Sequence, residues 1–202
     1  ILIYASGVTD EEILLDENKA INKNVNGFKS IIDSSLKHKV KKFIYISSAH
    51  VYGDLNRPIN ESSYLRPTSL YSNLHFFAEN LVKLNFQNYS IIRPNAVFGN
   101  IEKNFKRKKL IPFSFPIELA KNKKIILESH GKQHRNFISN KTIAKIVFKE
   151  LKKNNKSIIN SVGHHSMSIF DFGKFCIKET NDNFNLIRNS KEKYINRFVY
   201  SS

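Results

Sequence analysis

Cysteine is almost absent from this 202-residue sequence. Its one thiol, Cys176, excludes a disulfide framework and any multi-cysteine zinc cluster. Apolar runs stop at about six residues, far short of the roughly 20 that span a bilayer. The amino end lacks the basic, apolar and small-residue segments of a secretory leader, so the sequence reads as cytoplasmic and soluble. Acidic residues are scarce: 17 Asp+Glu against 33 Lys+Arg give a formal net charge of +16. Arginine is scarce as well, 7 residues against 26 lysines. Base readers lean on the planar fork of arginine, and the lysines here are scattered, at Lys37–Lys42, Lys106–Lys109 and Lys152–Lys153. The excess of Lys, Asn and Ile points to an AT-rich coding sequence rather than a nucleic-acid face. The charge suits attraction to an anionic small molecule. An initial methionine is missing too: Ile1-Leu2-Ile3-Tyr4-Ala5 already reads as a buried strand, and the sequence stops inside the apolar stretch Phe198-Val199-Tyr200. The expectation is a piece of a longer protein, cut at both ends.

What is present is the material of a folded core, 41% hydrophobic and 12% aromatic residues, which excludes disorder over most of the length. Strand signals fall at Ile1–Ala5, Lys42–Ser47, Tyr89–Arg93, Ile125–Glu128, Arg135–Ile138 and Ser157–Asn160. Apolar residues Ile21, Val25, Phe28, Ile32 and Leu36 recur at steps of three and four, which predicts a helix over Asn18–Lys39. A second helix is predicted over Ser69–Leu84 with Leu70, Leu74, Phe77, Leu81 and Val82 inward, and others over Thr142–Leu151 and Ser168–Lys178. Ser168 and Asp171 have the spacing of a capping box. Strand and helix alternate over residues 1–93, the pattern of parallel strands joined by crossover helices. Near residue 100 the pattern changes to a basic loop, short strands and the prolines 112 and 116, and a domain boundary is expected there.

Chemistry gathers at three points. The strand Lys42–Ser47 runs into Ser47-Ser48-Ala49-His50-Val51-Tyr52-Gly53; Tyr71-Ser72-Asn73-Leu74-His75 opens a helix; and a further strand ends in Arg93-Pro94-Asn95-Ala96-Val97-Phe98-Gly99. Ligands of open parallel sheets bind beyond the carboxyl ends of the strands, where Ser48 falls. Tyr71 and His75 are four apart and share a helix face. A phenol beside a hydroxyl and a nitrogen base is a candidate acid–base group for a hydroxyl proton.

In this order and spacing the sequence resembles the extended short-chain dehydrogenase/reductase family, in its NAD-dependent epimerase/dehydratase branch acting on nucleotide-sugars. Ile3-Tyr4-Ala5-Ser6-Gly7 is similar to the strand beneath the cofactor, Asn24 and Gly27 to an Asn–Gly pair on the next helix, and Pro67…Tyr71 to the start of the Tyr-x-x-x-Lys helix. Lys109-Leu110-Ile111-Pro112 and Gly131-Lys132-Gln133-His134-Arg135-Asn136-Phe137 resemble substrate-domain motifs. The resemblance implies an α/β fold: a truncated Rossmann-like doubly wound parallel sheet over 1–100, with a smaller α+β substrate domain over 101–202. It implies a nicotinamide cofactor, NAD or NADP, contacted by Ala5, Ser6, Gly7, Ser47, Tyr71, His75 and Pro94. Tyr71 would be the general base and acid and Ser48 its hydrogen-bonding partner on the substrate oxygen, with Asn24 holding a relay water and His75 beside them. A nucleotide-sugar would be gripped by Ser48, Asn95, Lys109 and Arg135. The implied assembly is a homodimer through the two long helices, with Phe28, Phe76 and Phe77 on the shared face and no nucleic-acid or membrane partner. The alternative reading is a non-catalytic member that binds cofactor or sugar nucleotide as a sensor or assembly subunit.

The sequence departs from the family pattern in several places. The Gly-rich phosphate loop and the ribose-binding acid are not in it, which leaves NAD against NADP open. His75 stands where the family has a lysine, a titrating group in place of a permanent cation. Ala96 and Asn136 replace a common Asn and a common Asp. His164-His165 lacks further ligands at metal spacing, so no metal is expected, and Cys176 reads as buried and inert. Gly27 is expected to permit close approach of helix and cofactor.

Overall fold

The computed structural model describes residues 1–7, 9–53, 58–99, 110–127, 129–164, 166–180 and 185–188. In chain order these form β1 (Leu2–Tyr4), α1 (Asp10–Leu15), α2 (Glu17–Asn22), a π-helical turn (Lys23–Gly27), α3 (Phe28–Lys37), β2 (Phe43–Ile46) and a 3-10 turn (Ala49–Tyr52). Then come α4 (Leu70–Asn85), β3 (Tyr89–Pro94), β4 (Ala96–Phe98), α5 (Ile111–Asn122), β5 (Lys124–Leu127) and β6 (His134–Ser139). α6 (Asn140–Leu151), β7 (Lys156–Ser161), β8 (Ser166–Ser168), α7 (Ile169–Lys178) and β9 (Asn185–Arg188) complete the set. The chain divides into two compact units, and the division is not one cut. Residues 142–161, with most of α6 and all of β7, belong with the described residues of 1–53 and 59–95, while the described residues of 96–141 and 162–188 form the other unit.

The first unit is built on a four-stranded sheet of order β1-β2-β3-β7, every pair parallel. Phe43, Ile44 and Tyr45 of β2 are all buried, as are all six residues of β3, which is what a parallel sheet covered on both faces demands. Phe43 and Tyr45 point to the same face, where Phe28 and Ile32 of α3 and Ala78 and Val82 of α4 close over them. Phe28 packs edge-on to Tyr4 at 4.9 Å and to Phe43 at 6.1 Å. It is 2% exposed, so it belongs to the core and not to a shared dimer face as expected from the resemblance. The helix predicted over Asn18–Lys39 is present, but its middle turn is wound as π. Beyond that turn Ser35 is buried and Leu36 exposed. At about 3.6 residues per turn, residue 35 comes round nearly under Phe28 while residue 36 does not.

The second unit holds a three-stranded sheet, β4-β6-β8, and a parallel pair, β5 with β9. Its core joins Phe115 and Leu119 of α5, Ile125 and Leu127 of β5, Phe137 of β6, and Ile169, Phe172 and Cys176 of α7. The Phe137 and Phe172 rings stack at 4.2 Å. Two prolines obscure α5 in the sequence. Pro112 lies in the first turn, where no amide donor is needed, and Pro116 inside the helix gives up one backbone bond. Of the capping box expected at α7, the Ser168 hydroxyl does accept from the Asp171 amide at 3.0 Å. The Asp171 carboxylate, however, accepts from the Ser168 hydroxyl at 2.6 Å and not from its backbone amide. Burial pushes the Cys176 thiol up to about 11, so it stays protonated and inert at neutral pH.

Candidate active site at the strand ends of the first unit

Backbone geometry places the serine motif. β2 ends at Ile46, and the Ser47 amide still donates to the Ile92 carbonyl at 2.7 Å, so the chain leaves the sheet only at Ser48. Ser48 then caps the 3-10 turn, accepting from the His50 amide at 3.2 Å. The turn closes at Gly53 with φ +71°, and a Cβ there would fall on the Arg66 carbonyl oxygen; only glycine fits. Ser69 starts α4, accepting from the Ser72 amide at 3.2 Å while the Ser72 hydroxyl accepts from the Ser69 amide at 2.9 Å. That reciprocal cap sets Tyr71 in the first turn and His75 one turn on.

Four rings meet there. Tyr71 and His75 lie edge-to-face at 4.6 Å, and His50 stands edge-on to Tyr71 at 5.6 Å. The Tyr45 hydroxyl is 2.7 Å from His75 Nδ1. The other edge of the imidazole faces Gly7, where a Cβ would lie 3.6 Å from Cε1 and 3.9 Å from Nε2. The end of β1, the start of α4 and, through His50, the serine motif are thus brought to one place. Ala5 and Ser6 are exposed and Gly7 is half-buried beside that ring.

Asn24 sits in the π turn, a feature that recurs at functional sites, and its amide donates to the Ala20 carbonyl at 3.0 Å. A Cβ on Gly27 would meet nothing within 4 Å, so the protein's own packing does not require glycine there. Ser47 is 4% exposed and its hydroxyl donates to Glu79 at 2.7 Å, so that side chain is committed to the interior. Pro94 ends β3 in register with Ser161 of β7. Asn95 follows, its backbone N–H donating to the Ser161 carbonyl at 3.2 Å.

Beneath the rings lies a buried ionic network the motif reading did not contain. Glu79 is 0% exposed and Arg93 1%. Arg93 donates from Nε and Nη2 to the two Glu79 oxygens at 2.8 and 2.6 Å, and from Nη1 to the Tyr52 hydroxyl at 2.6 Å. The Tyr52 hydroxyl in turn donates to Asn160 Oδ1 at 2.7 Å. Burial alone would raise the Glu79 carboxyl, but Arg93, Ser47 and Lys83 outweigh it and hold the group below the ordinary glutamate value. Burial likewise opposes the Arg93 charge, and Glu79 with Tyr52 more than restores it. The network ties the serine motif, α4 and β3 into one rigid block. Its only sequence trace is that Glu79 lies on the same helix stripe as Tyr71 and His75, at a further step of four.

Of Arg135 and Lys109, expected to grip a pyrophosphate, the structure describes Arg135. Lys109 lies outside the described residues. Arg135 is on β6 of the second unit, half-buried, with Nη1 donating to the His134 carbonyl at 2.9 Å. The neighbouring Asn136 explains its own departure from the family: its amide donates to the Gly163 carbonyl at 3.0 Å while its oxygen accepts from the Gly163 amide. An aspartate has no proton for that carbonyl. The second unit also contains a cavity of about 840 Å³ between α5 and α7, lined largely by Phe98, Leu119, Phe137, Met167, Phe172 and Phe175. Among the described residues no cluster of three or more His, Cys, Asp or Glu side chains could hold a metal, and no helix is long and apolar enough to cross a membrane.

Two buried polar atoms bear on a cofactor. Among the described residues, Asn95 Nδ2 and Ser161 Oγ have no hydrogen-bond partner, and both stand at the carboxyl ends of neighbouring parallel strands. Buried polar groups are rarely left so. Together with the glycine beside the imidazole, they fit a polar ligand lying across the strand ends, as a nicotinamide nucleotide would.

A parallel α/β sheet with serine, tyrosine and histidine gathered at its strand ends defines a Rossmann-like protein of the extended short-chain dehydrogenase/reductase type. Residues 3–163 match the NAD dependent epimerase/dehydratase family, and the chain belongs to it. It is 31% identical to human (Homo sapiens) dTDP-D-glucose 4,6-dehydratase over 167 residues, covering 78% of this chain and 47% of the relative. With the same enzyme of Dictyostelium discoideum the identity is 32% over 136 residues, 59% of this chain and 30% of the relative. The chain therefore spans about half the length, or less, of these curated relatives. Among solved structures, UDP-N-acetylglucosamine 4-epimerase from Methanobrevibacter ruminantium in complex with UDP-N-acetylmuramic acid superposes with a TM-score of 0.85 at 20% identity, over 99% of this chain and 66% of that one. UDP-glucose 4-epimerase of Thermotoga maritima with UDP-glucose gives 0.83 at 15% identity, over 98% and 68%. These show the fold.

Proposed function

We propose that the protein carrying this chain is a nicotinamide-dependent nucleotide-sugar epimerase or dehydratase whose acid–base group is Tyr71. The observation that carries this reading is the Tyr71–His75–Gly7 cluster beside the Ser48 turn. When bound, a nicotinamide supplies acceptance and return of a hydride at a sugar carbon. As the phenolate, the Tyr71 oxygen takes the proton from the hydroxyl on that same carbon, becoming the phenol, and returns it when the hydride comes back. Ser48 accepts from the His50 amide and so has its own hydroxyl proton to donate to the same sugar oxygen, where charge develops. Asn24 holds a water that relays the proton onward. His75 and the backbone of Ala5–Gly7 border the cofactor, with Pro94 and Asn95 at its far side. Arg135 and Lys109 grip the pyrophosphate of the sugar nucleotide. In this reading the first unit holds the cofactor and the second the nucleotide-sugar; the protein is cytoplasmic and works as a homodimer.

Tyr71→Phe tests the assignment. The expected result is a fall in kcat of about 10²–10⁴, the usual share of general acid–base catalysis, with cofactor affinity largely kept. Wild-type turnover of the natural substrate by the variant would overturn it.

A further inference from the structure

We infer that Tyr45 is the positioning residue of this site: its buried hydroxyl, donating to His75 Nδ1, fixes the imidazole as the neutral Nε2–H tautomer and turns that N–H toward the Gly7 edge. The functional meaning rests on the reading above; the geometry does not.

Tyr45 lies in the middle of β2 and is 3% exposed; His75 is 8% exposed. The phenol ring is held on three sides, by Phe28 at 5.4 Å, Tyr4 at 6.2 Å and His75 at 6.0 Å, so its oxygen has little freedom to leave Nδ1. The ionisable groups brought to the pair are Tyr71 and Glu79 from α4 and Tyr4 from β1, with His50 behind Tyr71. Burial pushes the Tyr45 phenol well above its ordinary value, and Glu79, Tyr71 and Tyr4 add to the effect, so it keeps its proton at neutral pH.

A phenol that always carries a proton must place it. If Nδ1 carried the proton and donated to Tyr45, the phenol proton would be buried without an acceptor among the described residues, which costs more than the bond returns. With Tyr45 donating, Nδ1 is the acceptor and Nε2 holds the ring proton. His75 then serves as a directed hydrogen-bond donor at the place where the family has a lysine. It does not replace the lysine's charge. The donor comes from a different strand from the catalytic helix, so the substitution of lysine by histidine and the tyrosine of β2 form one unit.

The test uses imidazole ¹⁵N spectra of the ¹⁵N-labelled full-length protein that carries this chain, at neutral pH, with the His75 signals assigned by His75→Gln. No substrate or cofactor is needed, so failure here is distinguishable from failure of the enzymatic reading. The expected wild-type spectrum has Nδ1 as a bare, hydrogen-bonded acceptor and Nε2 as the protonated nitrogen. Tyr45→Phe, which keeps the ring, should shift the tautomer ratio about tenfold toward Nδ1–H, the equivalent of about 1.4 kcal/mol. Tyr4→Phe, which touches the same ring without touching Nδ1, should leave it unchanged. A wild-type His75 found protonated on Nδ1, alone or together with Nε2, would overturn the inference whether or not the variants fold. So would a Tyr45→Phe spectrum identical to wild type.

Discussion

Glu79 shows how much one side chain can decide here. A carboxylate with none of its surface exposed would be lost without partners; Arg93 supplies a bidentate fork, Ser47 a hydroxyl and Lys83 a partly exposed ammonium. Its acid is held below the ordinary 4.5, so the stabilisation is fully present above that value and is lost as pH falls through the depressed one. Glu150, itself buried, is held down against that burial by hydrogen bonds from an exposed Lys153, Ser157 and Ser90, and so adds to the same acid limb. Glu79→Gln leaves the Arg93 charge buried and half-paired, and should cost about 3–5 kcal/mol in urea unfolding at pH 7. The gap between variant and wild type should narrow as pH falls from 4.5 through the depressed value, because the wild type then loses the same charge. Equal unfolding midpoints at pH 7 would remove Glu79 from the framework of the site.

Among the elements, α4 carries the most, since it presents Tyr71, His75 and Glu79 along one stripe and is anchored by a cap at its first residue. Replacing Ser69 by Ala removes the acceptor for the Ser72 amide, at about 1 kcal/mol within a range of 0.5–2. Tyr71 is two residues past the cap, so fraying of that turn should lower turnover more than it weakens substrate binding. Thermal melting and steady-state kinetics of Ser69→Ala check both halves; an unchanged melting temperature would show that tertiary packing alone holds the turn. The existence of α4, β2 and β3 was legible from apolar periodicity. The winding of residues 23–27 as a π turn was not, because no residue type marks the change of pitch, and α5 was hidden by its two prolines.

For the whole molecule the remaining question is assembly. The expected dimer face on α3 and α4 loses Phe28 to the core, but Leu36 and Leu84 stand 43% and 79% exposed on those same helices. Exposed leucines on both helices are the residues a two-fold four-helix packing would cover. Sedimentation velocity at micromolar concentration should show a dimer, and Leu84→Glu should convert it to monomer without altering the fold. A monomer in the unmodified protein would discard this face.

By itself the sequence determined the alternation of strand and helix, the parallel sheet it demands, and the motif residues Ser48, Tyr71 and His75. Each of these is a local pattern, read within about one turn or one strand. Only the tertiary structure decided who their partners are. Tyr45 reaches His75 across 30 positions, Arg93 reaches Glu79 across 14, and Tyr52 reaches Asn160 across 108. Residues 142–161 return to the first unit to supply the strand beside β3. A hydrogen bond between distant residues leaves no periodicity in a chain, because it depends on where two strands and a helix are packed and not on the spacing between the residues that make it.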